Sequence, residues 1–333
     1  MTMRPLTLGL LAGTALATLG GCERPPVDSE QLGYRGTGMV QVSNPRLAAS
    51  QPDIPAAIPP VPQSGPTAGE LLQNVQVLGD LSVAEFTRTM NAITTWVSPE
   101  QGCDYCHVSG DLASDDIYTK VVSRRMLQMT QAINRQWGDH VGQTGVTCFT
   151  CHRGQNVPAN IWFADDSAAN ASHFAGNRAG QNRPAESVGL ASLPADPFST
   201  LLTSTGDDVA IRVQTGPFPE NAGPTIHSAE ATYGLMMHIS GALGVNCTYC
   251  HNTASFGNWE GSRPTRVKAY HGIQMVQDLN EHYLVPLGPV YPENRLGPAG
   301  DPPKAFCTTC HAGQAKPLNG AKMAVDYPAF ARD

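Results

Sequence analysis

Apolar residues recur at three- and four-residue spacing along four long stretches of this chain, and each stretch predicts an amphipathic helix. The first covers about 82–96 and opens with Ser82-Val83-Ala84-Glu85, a capping-box pattern. The second starts at Asp115 or Asp116 and reaches about 137; the third covers about 228–243 and the fourth about 264–284. Helical pattern already begins near Glu70, and a short helix is expected at 198–202. Between these stretches the periodicity fades. Residues 31–45 are Gly-rich and polar. Residues 51–66 carry Ile54-Pro55, Ile58-Pro59-Pro60 and Val61-Pro62, a composition that stays extended. That arm is either a plain spacer or a strip lying along a partner. Residues 154–225 are rich in Gly, Pro, Asn and Ala and read as a long connector, of a length that has its own task or is partly mobile. The expected fold is mainly α with long irregular loops.

The helical pattern repeats. Met90-Asn91-Ala92-Ile93-Thr94 matches Met236-Met237-His238-Ile239-Ser240, and Gln128-Met129-Thr130-Gln131-Ala132-Ile133-Asn134 matches Gln274-Met275-Val276-Gln277-Asp278-Leu279-Asn280. Each helix leads into the same short motif. Cys103-Asp104-Tyr105-Cys106-His107, Cys148-Phe149-Thr150-Cys151-His152, Cys247-Thr248-Tyr249-Cys250-His251 and Cys307-Thr308-Thr309-Cys310-His311 are four copies of C-x-x-C-H. That spacing lets two thiols form thioethers to one haem while the adjacent His reaches its iron. Disulfides or zinc held by sets of four thiolates are the bland alternatives. Neither accounts for a His directly after every pair in a chain with 10 His. The reading is a multihaem cytochrome c with four covalently bound haem c groups, in two pseudo-repeated dihaem halves. The implied division is an arm at 22–69, a first dihaem half at 70–153, the connector, and a second dihaem half at 226–333.

Composition suits that reading. Charged residues are 15% and aromatics 7%, with 33 Gly and 27 Pro, as expected for loops and helices wrapped around something other than side chains. Lys and Arg number 21 against 28 Asp and Glu, and no basic run points to nucleic acid. Residues 1–21 read as a secretion signal, with Arg4 ahead of an apolar stretch too short to span a membrane comfortably. The stretch ends Leu19-Gly20-Gly21-Cys22, a pattern resembling a bacterial lipoprotein cleavage box, and Cys22 is the one Cys outside the motifs. Acylation of Cys22 would hold the chain on a membrane; a plain signal peptide or an uncleaved anchor are the alternatives.

Each haem iron needs a distal ligand as well. Met90 and Met236 are equivalent in the repeat, so Met236 is preferred over Met237. Met129 and Met275 are also equivalent and read as repeated packing residues. Met126 stands opposite Gly272, which suggests that Met126 serves the second haem while the fourth borrows a ligand. His140, in a turn before the second motif, is the candidate lender. For every Met, core filling is the competing role. His173, His227, His238, His271 and His282 read as surface, packing or propionate partners.

A lipoprotein-like start, a two-fold repeat, four C-x-x-C-H motifs at this spacing and a lone His before the second motif resemble the tetrahaem cytochrome c subunit of purple-bacterial photosynthetic reaction centres. The resemblance covers essentially the whole chain after residue 21. It implies proximal ligands His107, His152, His251 and His311, with distal ligands Met90, Met126, Met236 and His140. Thioethers would then form at Cys103, Cys106, Cys148, Cys151, Cys247, Cys250, Cys307 and Cys310. It further implies a non-enzymatic electron relay on the periplasmic face of the cytoplasmic membrane. The reaction-centre L and M subunits would be its partners. A soluble donor, cytochrome c2-like or a high-potential iron-sulfur protein, would feed it. A multihaem reductase and a non-photosynthetic envelope conduit are the alternatives; the reductase requires an iron with an open position. Glu100, Asp104, Asp111, Asp115 and Asp116 crowd the first motif with no Lys or Arg among them, which predicts a docking face for a basic donor.

Overall fold

The computed structural model describes residues 27–46, 50–164, 185–205 and 225–330. The expected leader, Cys22 and His173 lie outside them. Among the described residues no helix is long and apolar enough to cross a membrane.

The arm begins with a hairpin. Strands β1 (Asp28–Gln31) and β2 (Val40–Ser43) pair antiparallel, with Asp28 opposite Ser43. Four-residue strands give too short an alternation to read in sequence, and β1 is exposed at every residue. The Pro-rich segment then lies along the chain's own body. Arg88 Nε donates to the Ile58 and Pro59 carbonyls (3.0 Å each), and its Nη2 donates to Ile58 O (2.8 Å) and Asp326 O (2.7 Å). The Ile58 N–H donates to the Tyr327 hydroxyl at 3.1 Å. Pro has no N–H to offer, so side chains from the body satisfy the carbonyls of the arm.

After a single turn, α1 (Ala68–Leu71), comes α2 (Val83–Val97). Ser82 caps α2 by accepting the Glu85 N–H at 3.2 Å. Only that half of the capping box forms. The Glu85 carboxylate turns inward, fully buried, and accepts from Arg88 (2.8 Å) and Gln63 (3.1 Å). Helix α3 (Tyr118–Gln136) starts later than Asp115 or Asp116 would have placed it. Asp115 caps nothing; it pairs with Arg124 (2.8 Å) and Lys120 (3.4 Å). A short turn, α4 (Gly138–Val141), follows, then α5 (Cys148–His152) and, within the connector, α6 (Phe198–Leu201). The last helices are α7 (Ile226–Leu243), α8 (Pro264–Leu279) and α9 (Cys307–His311). The apolar pattern runs on to 284, but the backbone changes pitch at Asn280–Leu284, a π turn, before a 3-10 segment at Val285–Val290.

Two apolar cores organise these pieces. One gathers Trp96, Leu127, Phe149, Leu318, Tyr327 and Phe330, with Trp96 edge-on to Tyr327 at 4.7 Å. The other gathers Leu235, Ile239, Ile273, Val276 and Leu279 with Phe198, Leu201 and Leu202. The connector therefore supplies core at 198–202, and each such buried apolar side chain contributes roughly 1.5–3 kcal/mol. Helix α3 joins the cores, since Leu127 enters the first and Ile133 the second.

Candidate functional site

The four motifs fall into two structural types. The first and third are 3-10 turns, Gly102–Tyr105 and Cys247–Tyr249. In both, a Thr hydroxyl from the following helix donates to the Tyr carbonyl inside the motif: Thr119 to Tyr105 and Thr265 to Tyr249. The second and fourth are the helical turns α5 and α9. Here the third motif residue is Thr, and its hydroxyl accepts the N–H of the residue before the first Cys. Thr147 N–H reaches Thr150 and Phe306 N–H reaches Thr309, each at 3.0 Å. Both turns end in a left-handed residue, Arg153 (φ 52°) and Ala312 (φ 45°). Both are then tied back to the long helix one earlier in the chain, by Gly154 N–H to Trp96 O on α2 (2.9 Å) and Gly313 N–H to Ala242 O on α7 (2.7 Å).

The helices that precede the second and fourth motifs brace them identically. Asn134 Nδ2 donates to Val146 O (2.9 Å) while Val146 N–H donates to Asn134 Oδ1 (2.8 Å). Asn280 does the same to Ala305, at 2.9 and 2.8 Å. Asn134 and Asn280 close the aligned seven-residue stretches of the repeat, the sequence signal by which they could have been singled out.

The imidazoles share one orientation. Nδ1 of His107 and His251 meets the carbonyl five residues on, Leu112 (3.0 Å) and Phe256 (2.9 Å). Nδ1 of His152 and His311 meets the carbonyl three residues on, Gln155 (3.0 Å) and Gln314 (2.8 Å). A carbonyl can only accept, so each Nδ1 carries a proton, and in the neutral ring Nε2 then keeps the lone pair. His140 follows the rule from elsewhere in the chain: its Nδ1 donates to Lys268 O at 2.8 Å, and its ring lies 5.9 Å from that of His311. Burial lowers the pKa of His140, His152 and His251, and pushes His311 down to about 4. In these four the shift favours the neutral ring, the form a metal ligand takes.

Gly272 explains the gap opposite Met126. A Cβ there would lie 2.5 Å from His140 Cε1, so the glycine makes room for the imidazole. Met90 is half-buried against the Trp96 core, and Met126 is half-buried on α3. Met236 packs half-buried on the second core, whereas the Met237 methyl reaches toward the Gly189 turn of the connector. Met275 is buried in that core and Met129 packs against it. His238 is also buried there, stacked on Phe306 at 4.6 Å, with Nδ1 on Ser187 O and Nε2 unpaired.

The thiols divide as well. Cys103 and Cys247 are exposed, and Cys106 and Cys250 are half-buried with pKa raised by burial. Burial pushes Cys148 and Cys307 up to about 12. Cys151 and Cys310 are joined as a disulfide, and a sulfur in that bond cannot also carry a thioether. No larger disulfide framework exists among the described residues: the other motif thiols are free. Zinc fares no better, because no group of three or more His, Cys, Asp or Glu side chains converges there to hold a metal.

Among the described residues, two buried guanidinium atoms at the motifs lack partners. Arg153 Nε lies just after the second motif, and Arg263 Nε belongs to a residue whose N–H donates to Cys250 O of the third. Imidazoles donating from Nδ1, two cysteines in one turn and unmet cationic donors would suit a haem with its propionates; at the second and fourth motifs the Cys151–Cys310 bond would have to be reduced first.

Comparison with known proteins agrees with this chemistry. Residues 23–331 match the family model described as photosynthetic reaction centre cytochrome C subunit. The chain is 54% identical over 323 residues to the photosynthetic reaction center cytochrome c subunit of Rubrivivax gelatinosus, covering 96% of this chain and 87% of that protein. It is 48% identical over 329 residues to the protein of that name from Thermochromatium tepidum, covering 97% and 80% respectively. With the one from Roseobacter denitrificans it shares 40% over 342 residues, covering 98% and 91%.

Proposed function

Because this chain belongs to the family of photosynthetic reaction centre cytochrome c subunits, we propose that it relays electrons from a soluble periplasmic carrier to the photo-oxidised bacteriochlorophyll pair of a reaction centre, through four c-type haems. Bound haem supplies the one-electron chemistry; the chain supplies attachment, axial ligands and spacing. The observation that carries the reading is the pairwise recurrence of imidazole contacts, first motif with third and second with fourth. It supports two dihaem halves built on one plan.

In this reading His107, His152, His251 and His311 are proximal ligands, and Met90, Met126, Met236 and His140 are distal. The eight motif Cys carry the thioethers, which requires Cys151 and Cys310 as thiols in the loaded chain. With two ligands for every iron, no coordination position is left for a substrate, and the protein makes and breaks no substrate bond.

The arm suggests how the chain is oriented. The Val40 carbonyl accepts from Asn246 Nδ2 (2.7 Å) and the Thr248 hydroxyl (2.8 Å), and Arg263 Nη1 donates to Leu32 O (3.2 Å). The hairpin thus clamps the third motif. Cys22 is six residues before β1, at most about 20 Å of extended chain. An acylated Cys22 would therefore hold the third motif near the membrane, facing the L and M subunits. The first motif, with its carboxylates, would receive a donor such as a cytochrome c2-like protein or a high-potential iron-sulfur protein.

Flash excitation of membranes containing this chain and its reaction centre tests the reading. Light-driven oxidation of c-type haem is expected; its absence overturns the proposal. The mass of the purified chain should correspond to four attached haems.

A further inference from the structure

The four motifs differ in the residue that follows the His: Val108, Arg153, Asn252 and Ala312. Only the second motif is followed by a cation, and that cation is not turned to water. Arg153 sits in the left-handed position that ends α5, which directs its side chain across to the other half of the repeat. Its Nη2 donates to the Cys310 carbonyl at 2.9 Å, one residue before His311. Its Nη1 donates to Gln51 Oε1, and Gln51 Nε2 in turn donates to the Ala312 carbonyl at 3.0 Å. Nε is buried without a partner, and no carboxylate among the described residues lies within ion-pair distance of this guanidinium. Among the described residues, the acceptors that hold this cation between the second and fourth motifs are all neutral.

A full charge in this position acts on electron affinity. Reduction adds a negative charge at iron, so a nearby cation favours the reduced form, and partial burial keeps the interaction stronger than in water. A propionate taken by Nε would have its charge cancelled by the guanidinium, which works in the same direction. We infer that Arg153 is a shared redox-tuning residue, one cation that raises the reduction potentials of the second and fourth haems together while bracing their two motifs. It acts through charge and position and touches no reacting bond. The inference rests on the four-haem reading given above.

The test separates charge from bracing and both from haem loading. Arg153→Gln, Arg153→Lys and Gln51→Glu are made in the full chain, and each purified protein is weighed for attached haem before redox titration. Four haems in the parent chain are the premise; fewer there would defeat the four-haem reading, not this one. With four haems present, Arg153→Gln should lower two of the four titration components, the bis-His one and one His/Met one, by about tenfold in the reduced-to-oxidised ratio at fixed potential. That corresponds to about 59 mV for a one-electron step. Arg153→Lys should keep most of the parent potentials. Gln51→Glu leaves Arg153 in place and sets a carboxylate against Nη1, so it should lower the same two components even if Arg153→Gln loads poorly. Unchanged potentials in Gln51→Glu, or equal shifts in Arg153→Gln and Arg153→Lys, overturn the inference.

Discussion

Gly272 on α8 lies against the His140 ring so closely that a methyl group at its Cβ position would stand 2.5 Å from Cε1 and 2.7 Å from Nδ1. Real carbon atoms do not share that distance, so one extra methyl must displace the imidazole. In Gly272→Ala the fourth site should lose its low-spin bis-imidazole signal in part or whole, while the His/Met sites keep theirs. Overpacking should cost roughly 1–3 kcal/mol in chemical denaturation. Gly241→Ala on α7, where a Cβ would meet nothing within 4 Å, is the control and should be neutral or slightly stabilising. An undisturbed fourth-site spectrum in Gly272→Ala would remove His140 from the ligand set.

Met236 and Met237 are adjacent, and only one can serve the third site. The Met237 methyl lies by the Gly189 turn, which favours Met236 as the proposed ligand. Met236→Leu should make one haem high-spin and lower its potential, because thioether sulfur favours reduced iron. Met237→Leu should leave all spin states unchanged. The reverse result reassigns the ligand.

Arg88 and Glu85 form a buried ion pair that also closes the Pro-rich arm onto the body. Removing one partner leaves the other buried and uncompensated, a loss of about 3–5 kcal/mol. Arg88→Met should lower the denaturation midpoint accordingly and expose residues near 58–63 to protease. Replacing both as Glu85→Met with Arg88→Met should recover stability but not the protection of the arm, since Ile58 and Pro59 would still lack their donor.

Much of the site was readable because covalent spacing dictates it. C-x-x-C-H puts two cysteines and a His on one turn, although that turn is 3-10 in two copies and helical in the other two; the repeat paired Met90 with Met236 and left Gly272 opposite Met126. What was not readable depends on contacts distant in the chain. Asn134 and Asn280 sit in plain view at the ends of the aligned stretches, but their brackets to Val146 and Ala305 exist only once the loops fold back. The hairpin around the third motif and the packing of 198–202 into the second core are likewise tertiary. Side chains with a better partner than the cap changed the details: Asp115 went to Arg124 and its helix starts later, while the start at Ser82 stands with Glu85 paired to Arg88 in place of closing the capping box.

The pairing of Asp115 also changes which carboxylates can steer a donor. Asp115 is held well below the usual carboxylate range, chiefly by its hydrogen bond to Arg124, so its charge is already answered. Glu100, Asp104, Asp111 and Asp116 are exposed, and none makes an ion pair among the described residues. Leu112, next to Asp111 in the chain, is itself exposed, and its carbonyl accepts from His107 Nδ1 and from Lys120 Nζ. Four unpaired, exposed carboxylates close in the chain to His107, the proposed proximal ligand, suit brief docking of a basic carrier, since charge raises the encounter rate without requiring tight binding. Asp104→Asn, Asp111→Asn and Asp116→Asn together should slow second-order reduction by a basic cytochrome several-fold at low salt. Asn at 111 keeps the oxygen that accepts from the Ala113 and Ser114 N–H groups, so the loop itself should hold. Raising salt shortens the Debye length and should bring mutant and parent rates together, with all potentials unchanged. Asp115→Asn should have a different signature: it frees Arg124 and Lys120, adds positive charge to the rim and slows the reaction too, but also loosens the start of α3. Equal rates for the triple variant and the parent at low ionic strength would place the docking face elsewhere on the molecule.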